Sequence, residues 1–145
     1  MISHIAIVSV FVKDVDESLA FYTDILGFQA ADDVTMGDYR WCTVIHPQQP
    51  ELAVHLTTPG PPLSPELQEA LRRAQDEGGT PGLGLTVDDC QATYDELVGK
   101  GVEFLQPPSD RPYGVEAVCR DNSGNWMVLV EQKFDHGAAP DTLPA

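Results

Sequence analysis

Four histidines, two tryptophans and three cysteines are the residues of this 145-residue chain best suited to chemistry, and their spacing separates them quickly. Cys42, Cys90 and Cys119 are odd in number and form no CxxC pair, so they read as small buried hydrophobes rather than as a disulfide framework or a zinc ribbon. His46 falls in a turn, His136 in a segment without periodicity, and His4 at the start of an apolar run. His55 lies inside the strand-like run Glu51 to Thr57, where a sheet can hold its ring in place. An imidazole there can work as a general base or as a polar contact, because its unperturbed pKa lies near neutrality. Further along, Arg111-Pro112-Tyr113-Gly114 and Glu116 gather a guanidinium, a phenol and a carboxylate. Such a group can bind an anionic or aromatic moiety, and Glu116 can assist a proton transfer. The plain alternative is a turn shaped by Pro112 and Gly114 with a solvated arginine.

The elements that must position these residues come as a repeat. Val15, Leu19, Tyr22 and Leu26 fall on one helical stripe, and Cys90, Tyr94, Leu97 and Gly101 stand in the same relation seventy-five residues later. A carboxylate opens each helix three residues before a Glu or Gln, Asp14 with Glu17 and Asp88 with Gln91, and a glycine closes each, Gly27 and Gly101. Strands are predicted at His4 to Val12, Phe28 to Val34, Tyr39 to His46 and Glu51 to Thr57, with the turn between the last two marked by Pro47 and Pro50. In the second half they are predicted at Gly82 to Val87, Val102 to Gln106, Gly114 to Arg120 and Trp126 to Glu131. Pro107-Pro108 and Asp121 to Gly124 are read as the turns between the last three. Between the halves, Ser64 as cap and Pro65 in the first turn start a short amphipathic helix over 64–77, ended by Gly78-Gly79. The expectation is one α+β domain over 1–133 built from two βαβββ modules, about 1–58 and 80–133, that close around a shared pocket, with a loose tail over 134–145.

Composition narrows the function. A formal charge of −15, from 23 acidic against 8 basic residues, leaves nothing to offset phosphate repulsion and excludes nucleic acid as a partner. No apolar run approaches the length of a membrane span and no export signal opens the chain, so no membrane partner and a cytoplasmic location are expected. The acidic surface raises the local concentration of a cationic ligand, beside its plain role in solubility.

Two βαβββ modules, with FVKDVDESLAFYTDILGF near the start and RPYGVEAVCRDNSGNW near the end, resemble the vicinal oxygen chelate superfamily of glyoxalases, extradiol dioxygenases and bleomycin-resistance proteins. The first motif carries the fold, and the second is most similar to the bleomycin-resistance proteins. The resemblance implies metal ligands on the first and last strands of each module. Those positions fall at Ile7, His55, Gly82 and Val128, and of these only His55 has a side-chain donor, so no metal and no cofactor are expected. His4 lies three residues from Ile7, on the opposite face of the strand. Parity places Phe11, Trp41, Thr43, His55, Thr57, Thr86 and Trp126 inside the cup, and the Arg111-Pro112-Tyr113-Gly114 loop with Glu116 is expected to form its rim. Aromatic rings with a few hydroxyls suit a small aromatic or cationic molecule such as an antibiotic, bound and sequestered without turnover. The competing reading is a glyoxalase-like lyase or isomerase that uses His55 and Glu116 for proton transfer. A third is an accessory protein that meets a partner through Leu67 and Leu71 of the linker helix. The resemblance also implies a homodimer.

Overall fold

The computed structural model describes residues 1–142, so the last three positions of the predicted tail lie outside the described residues. It has an α+β fold in which one four-stranded mixed sheet forms in each half of the chain. In chain order the elements are β1 (Ile7–Phe11), α1 (Val15–Ala20), β2 (Gln29–Met36), β3 (Tyr39–His46), β4 (Gln49–Thr57) and α2 (Pro65–Asp76), then β5 (Pro81–Thr86), α3 (Cys90–Gly99), β6 (Phe104–Arg111), β7 (Gly114–Arg120) and β8 (Trp126–Gln132). The sheets run β1-β4-β3-β2 and β5-β8-β7-β6, the same strand order twice. Two compact units follow, Met1–Thr80 with Asn122–Gly124, and Pro81–Asp121 with Asn125–Ala145. No helix among the described residues is long and apolar enough to cross a membrane.

Helix starts follow the capping chemistry. The Asp14 carboxylate accepts from the Glu17 amide at 2.8 Å, and Ser64 accepts from Leu67 at 3.2 Å with Pro65 in the first turn. In the second unit the cap is Asp89 and not the predicted Asp88. Asp89 has the extended backbone of a cap residue, φ −141°, and its carboxylate accepts from the Ala92 amide at 2.9 Å. Gly27 and Gly101 follow the helices with φ of +82° and +87°, a conformation in which a side chain would be strained. The first helix does not run unbroken to Leu26. Phe21–Ile25 widens into a π turn, and Phe21 and Tyr22 both reach the core there.

Other strand limits also move. Pro107-Pro108 does not end β6, which runs on to Arg111, and the pairing of β6 with β7 slips between Gln106 and Ser109 around the two prolines. A proline has no N–H for the ladder, and an irregularity of this kind is where a sheet tolerates one. Pro50 lies inside β4, and the turn itself is Pro47-Gln48.

Strand parity decides which face each sheet buries. In the first unit Val10, Val12, Cys42, Val44, Val54 and Leu56 lie in the core with Tyr22 from the helix side. The alternate residues Ile7, Ser9 and Phe11 pair with Ala53, His55 and Thr57 on the opposite, open face. In the second unit Ala117, Cys119, Met127 and Leu129 are buried with Cys90 and Leu97, while Glu116, Val118, Val128, Val130, Gly84 and Thr86 form the open face. All three cysteines are buried free thiols, and burial pushes Cys119 up to about 12, so they serve as core residues.

Candidate functional site

On the first sheet, pairing register builds one polar row. Ser9, His55 and Thr43 lie directly opposite one another on β1, β4 and β3. Ser9 Oγ stands 3.4 Å from His55 Nδ1, and the Tyr39 hydroxyl stands 3.4 Å from His55 Nε2. Trp41 covers the ring with centroids 4.4 Å apart and planes tilted by 32°, and Tyr39 meets it edge-on at 6.1 Å. His55 is therefore only 6% exposed, and burial depresses its pKa below the ordinary histidine value against a smaller opposing hydrogen bond to the Arg40 backbone. The imidazole is neutral at pH 7. Among the polar groups of this row, Thr43 is already committed, because its hydroxyl accepts the Asp32 amide at 3.0 Å across the irregular pairing of β2 and β3.

Arg40 fixes which way β3 faces. Its guanidinium reaches Asp16 of α1 at 2.8 Å and grips Asp33 of β2 with two hydrogen bonds of 2.9 Å, so it points to the helix side and its neighbours Tyr39 and Trp41 point to the open face. The same bonds hold the Asp33 carboxyl below the usual carboxylate range. Trp41 is steadied in turn by donating Nε1–H to Asp32 at 3.3 Å. Phe11 and Thr57 pair with each other two positions along from Ser9 and His55, extending the open face.

On the second sheet the carboxylate of Glu116 collects its neighbours. It accepts a short hydrogen bond from the Tyr113 hydroxyl, faces the Gln106 amide at 3.4 Å, and lies 3.8 Å from Arg111 Nε. Gln106 joins the group by donating to the Glu116 carbonyl at 3.2 Å and accepting from Arg111 at 3.0 Å. The hydrogen bond to Glu116 raises the pKa of Tyr113, so the phenol keeps its proton. Thr86 pairs with Val130, beside Glu116, and Trp126 pairs with Arg120 at the end of β8 with its side chain half-exposed. The sequence thus located Arg111, Tyr113 and Glu116 as a group. It missed Gln106, whose place was hidden by reading Pro107-Pro108 as the strand end, and it missed Ser9, which parity from Ile7 was enough to find. Tyr39 carried no signal of its own.

The residues present do not fit the metal site that the resemblance implies. Among the four positions His55 alone offers a donor, and its two ring nitrogens already face hydroxyls. Gly82 is also not on the cup face, where spacing from the helix start puts the first-strand position. Pairing slips between Pro81 and Gly84, so Gly84 is the residue opposite Val128, and a Cβ on Gly82 would lie 3.1 Å from Met127 Cγ in the core. Among the described residues no cluster of three or more His, Cys, Asp and Glu side chains forms elsewhere.

Comparison with known proteins agrees with the fold. The chain is 39% identical to UcmS2, whose crystal structure it matches with a TM-score of 0.84 over 91% of this chain and all of that one. TnmS3, an antibiotic binding protein from Streptomyces sp. CB03234, is 28% identical and superposes with a TM-score of 0.72 over 91% of this chain and 98% of that one. The uncharacterized protein YurT of Bacillus subtilis (strain 168) is 34% identical over 128 residues, 88% of this chain and 98% of YurT. Residues 1–129 match the pattern of one family, and the chain belongs to the Glyoxalase/Bleomycin resistance protein/Dioxygenase superfamily.

Proposed function

We propose that the protein binds a small aromatic or cationic organic molecule, such as an antibiotic, and sequesters it chemically unchanged without a metal. The observation that carries this is the Trp41, His55 and Tyr39 group: two aromatic rings on an open sheet face around a neutral, buried imidazole. Stacking supplies affinity there, and hydroxyls supply orientation. Phe11, Thr43 and Thr57 belong to the same face, and Thr86, Trp126, Tyr113 and Arg111 are the corresponding contacts on the second sheet. His55 is 6% exposed and Glu116 is held by Tyr113, Gln106 and Arg111, which suits positioning of contacts better than proton transfer to a ligand. The similarity to TnmS3, itself an antibiotic binding protein, supports the ligand class. The working form is a homodimer in the cytoplasm.

The test is to incubate the protein with cationic, glycopeptide-like and neutral aromatic compounds, then recover each by mass spectrometry. Sequestration predicts saturable retention of at least one class with its mass unchanged. A converted product that disappears in His55→Ala would replace sequestration with a metal-free lyase or isomerase.

A further inference from the structure

On the second sheet the roles of the groups around Glu116 follow from chemistry alone, because carboxylates and carbonyls only accept hydrogen bonds and a guanidinium only donates. The Glu116 carboxylate accepts from the Tyr113 hydroxyl and faces Gln106 Nε2, which also donates to the Glu116 carbonyl at 3.2 Å. That orientation of the amide makes Gln106 Oε1 the acceptor that meets Arg111 Nη2 at 3.0 Å. Arg111 Nε lies 3.8 Å from the same carboxylate. Tyr113, Gln106 and Glu116 therefore satisfy their donors and the carboxylate on one another. Arg111 alone has donors left over: among the described residues Nη1 meets no acceptor, and the side chain is 43% exposed. Arg40, by contrast, is closed by two carboxylates, Asp16 and Asp33. Beside Arg111 and its partners the open face is apolar, with Val130 directly opposite Glu116 and Val128 opposite Val118.

We infer that Arg111 is the specificity-determining donor of the second sheet, offering its Nη1 hydrogens to an oxygen of a ligand whose ring lies over these valines, and that Gln106 is its positioning residue. This rests on the proposal that the open faces bind a small organic molecule, and it narrows the class to neutral aromatic molecules bearing a carbonyl-type acceptor beside the ring. Glu116 already balances the guanidinium and the chain carries a formal charge of −15, so a carboxylate gains little there that a carbonyl does not. A guanidinium held by Gln106 before the ligand arrives also loses less freedom on binding than a solvated one.

Three naphthalenes separate the terms: 2-acetylnaphthalene with a carbonyl, 2-isopropenylnaphthalene of nearly equal shape without one, and 2-naphthoate with a carboxylate. In equilibrium dialysis with the full chain, the ketone should bind about tenfold more tightly than the alkene, the effect of one hydrogen bond from a charged donor. The naphthoate should bind no more tightly than the ketone. The ratio of ketone to alkene affinity is read within each variant, so a general loss of binding cancels. Arg111→Met should abolish the preference, and Gln106→Leu, which leaves the guanidinium unheld, should reduce it. A merely structural Gln106 would weaken both probes alike, and an unchanged ratio would overturn its positioning role. Equal binding of ketone and alkene by the wild-type chain, or a preference that survives Arg111→Met, overturns the inference and leaves binding by the open faces standing. A naphthoate that binds most tightly, and loses that lead in Arg111→Met, overturns the neutral class in favour of aromatic acids. Failure of the wild-type chain to bind any of the three overturns both the inference and the aromatic ligand class.

Discussion

A histidine enclosed by a tryptophan, a tyrosine and a serine hydroxyl is tuned by two opposing effects, and burial is the larger. Removing the ring from water disfavours the imidazolium, which the Arg40 carbonyl only partly offsets. The folded chain therefore binds this proton less readily than the unfolded one. Between the depressed folded value and the unfolded value of about 6.5, the unfolded state holds more protons, so stability contributed by neutral His55 is complete above that window and lost as pH falls through it. Because an imidazolium quenches a stacked indole, Trp41 emission in a Trp126→Phe background should fall with acid at a midpoint below the ordinary histidine value. The same titration in His55→Gln should be flat. A midpoint at or above 6.5 would mean that the ring is solvated and that the enclosure by Trp41 does not persist in solution.

At the scale of elements, a few backbone positions decide whether those side chains stay in place. Asp89, not Asp88, holds the first turn of α3, so Asp89→Ala should cost about 1 kcal/mol in chemical denaturation while Asp88→Ala costs little. Equal effects would return the cap to Asp88. Gly114 opens β7 with φ +153°, and a Cβ there would stand 2.2 Å from the Glu131 carbonyl oxygen. Gly114→Ala must therefore distort the strand start that separates Tyr113 from Glu116, with a stability loss of about 3 kcal/mol. A variant with unchanged thermal midpoint would show that the β7 and β8 edges have more slack than this pairing allows. Neither the cap residue nor the β6 extension was legible as such. Two adjacent aspartates at 88 and 89 satisfy the capping pattern almost equally, and a double proline reads as a break unless the partner strand slips to accommodate it.

For the molecule as a whole, charge and ligand capacity set what it can bind. With a formal charge of −15, a cationic ligand is drawn in by exposed carboxylates whose field is screened over about 10 Å at 0.1 M salt. Affinity for a cationic compound should fall as salt rises, while that of a neutral aromatic compound should hold. Salt-independent binding of both would leave the acidic surface with a role in solubility alone. Elemental analysis should find no stoichiometric zinc, nickel, iron or manganese, and a chelator should leave the thermal midpoint unchanged, since a metal bound to the folded state would stabilise it. Near one metal per chain, lost in His55→Ala, would overturn the metal-free reading. The sequence by itself determined the repeated βαβββ order, the faces of β1 and β4, the buried cysteines and the Arg111, Tyr113 and Glu116 group. Each follows from a period of two or 3.6 residues or from neighbours a few positions apart. Only the tertiary structure decided which groups meet the imidazole, because Ser9 and Tyr39 stand 46 and 16 residues from His55 and reach it through strand pairing. It also decided that Gly82 turns toward Met127 in the core and not to the open face, because a one-residue slip in register exchanges the faces of a strand, and nothing in the local pattern of β5 records that slip.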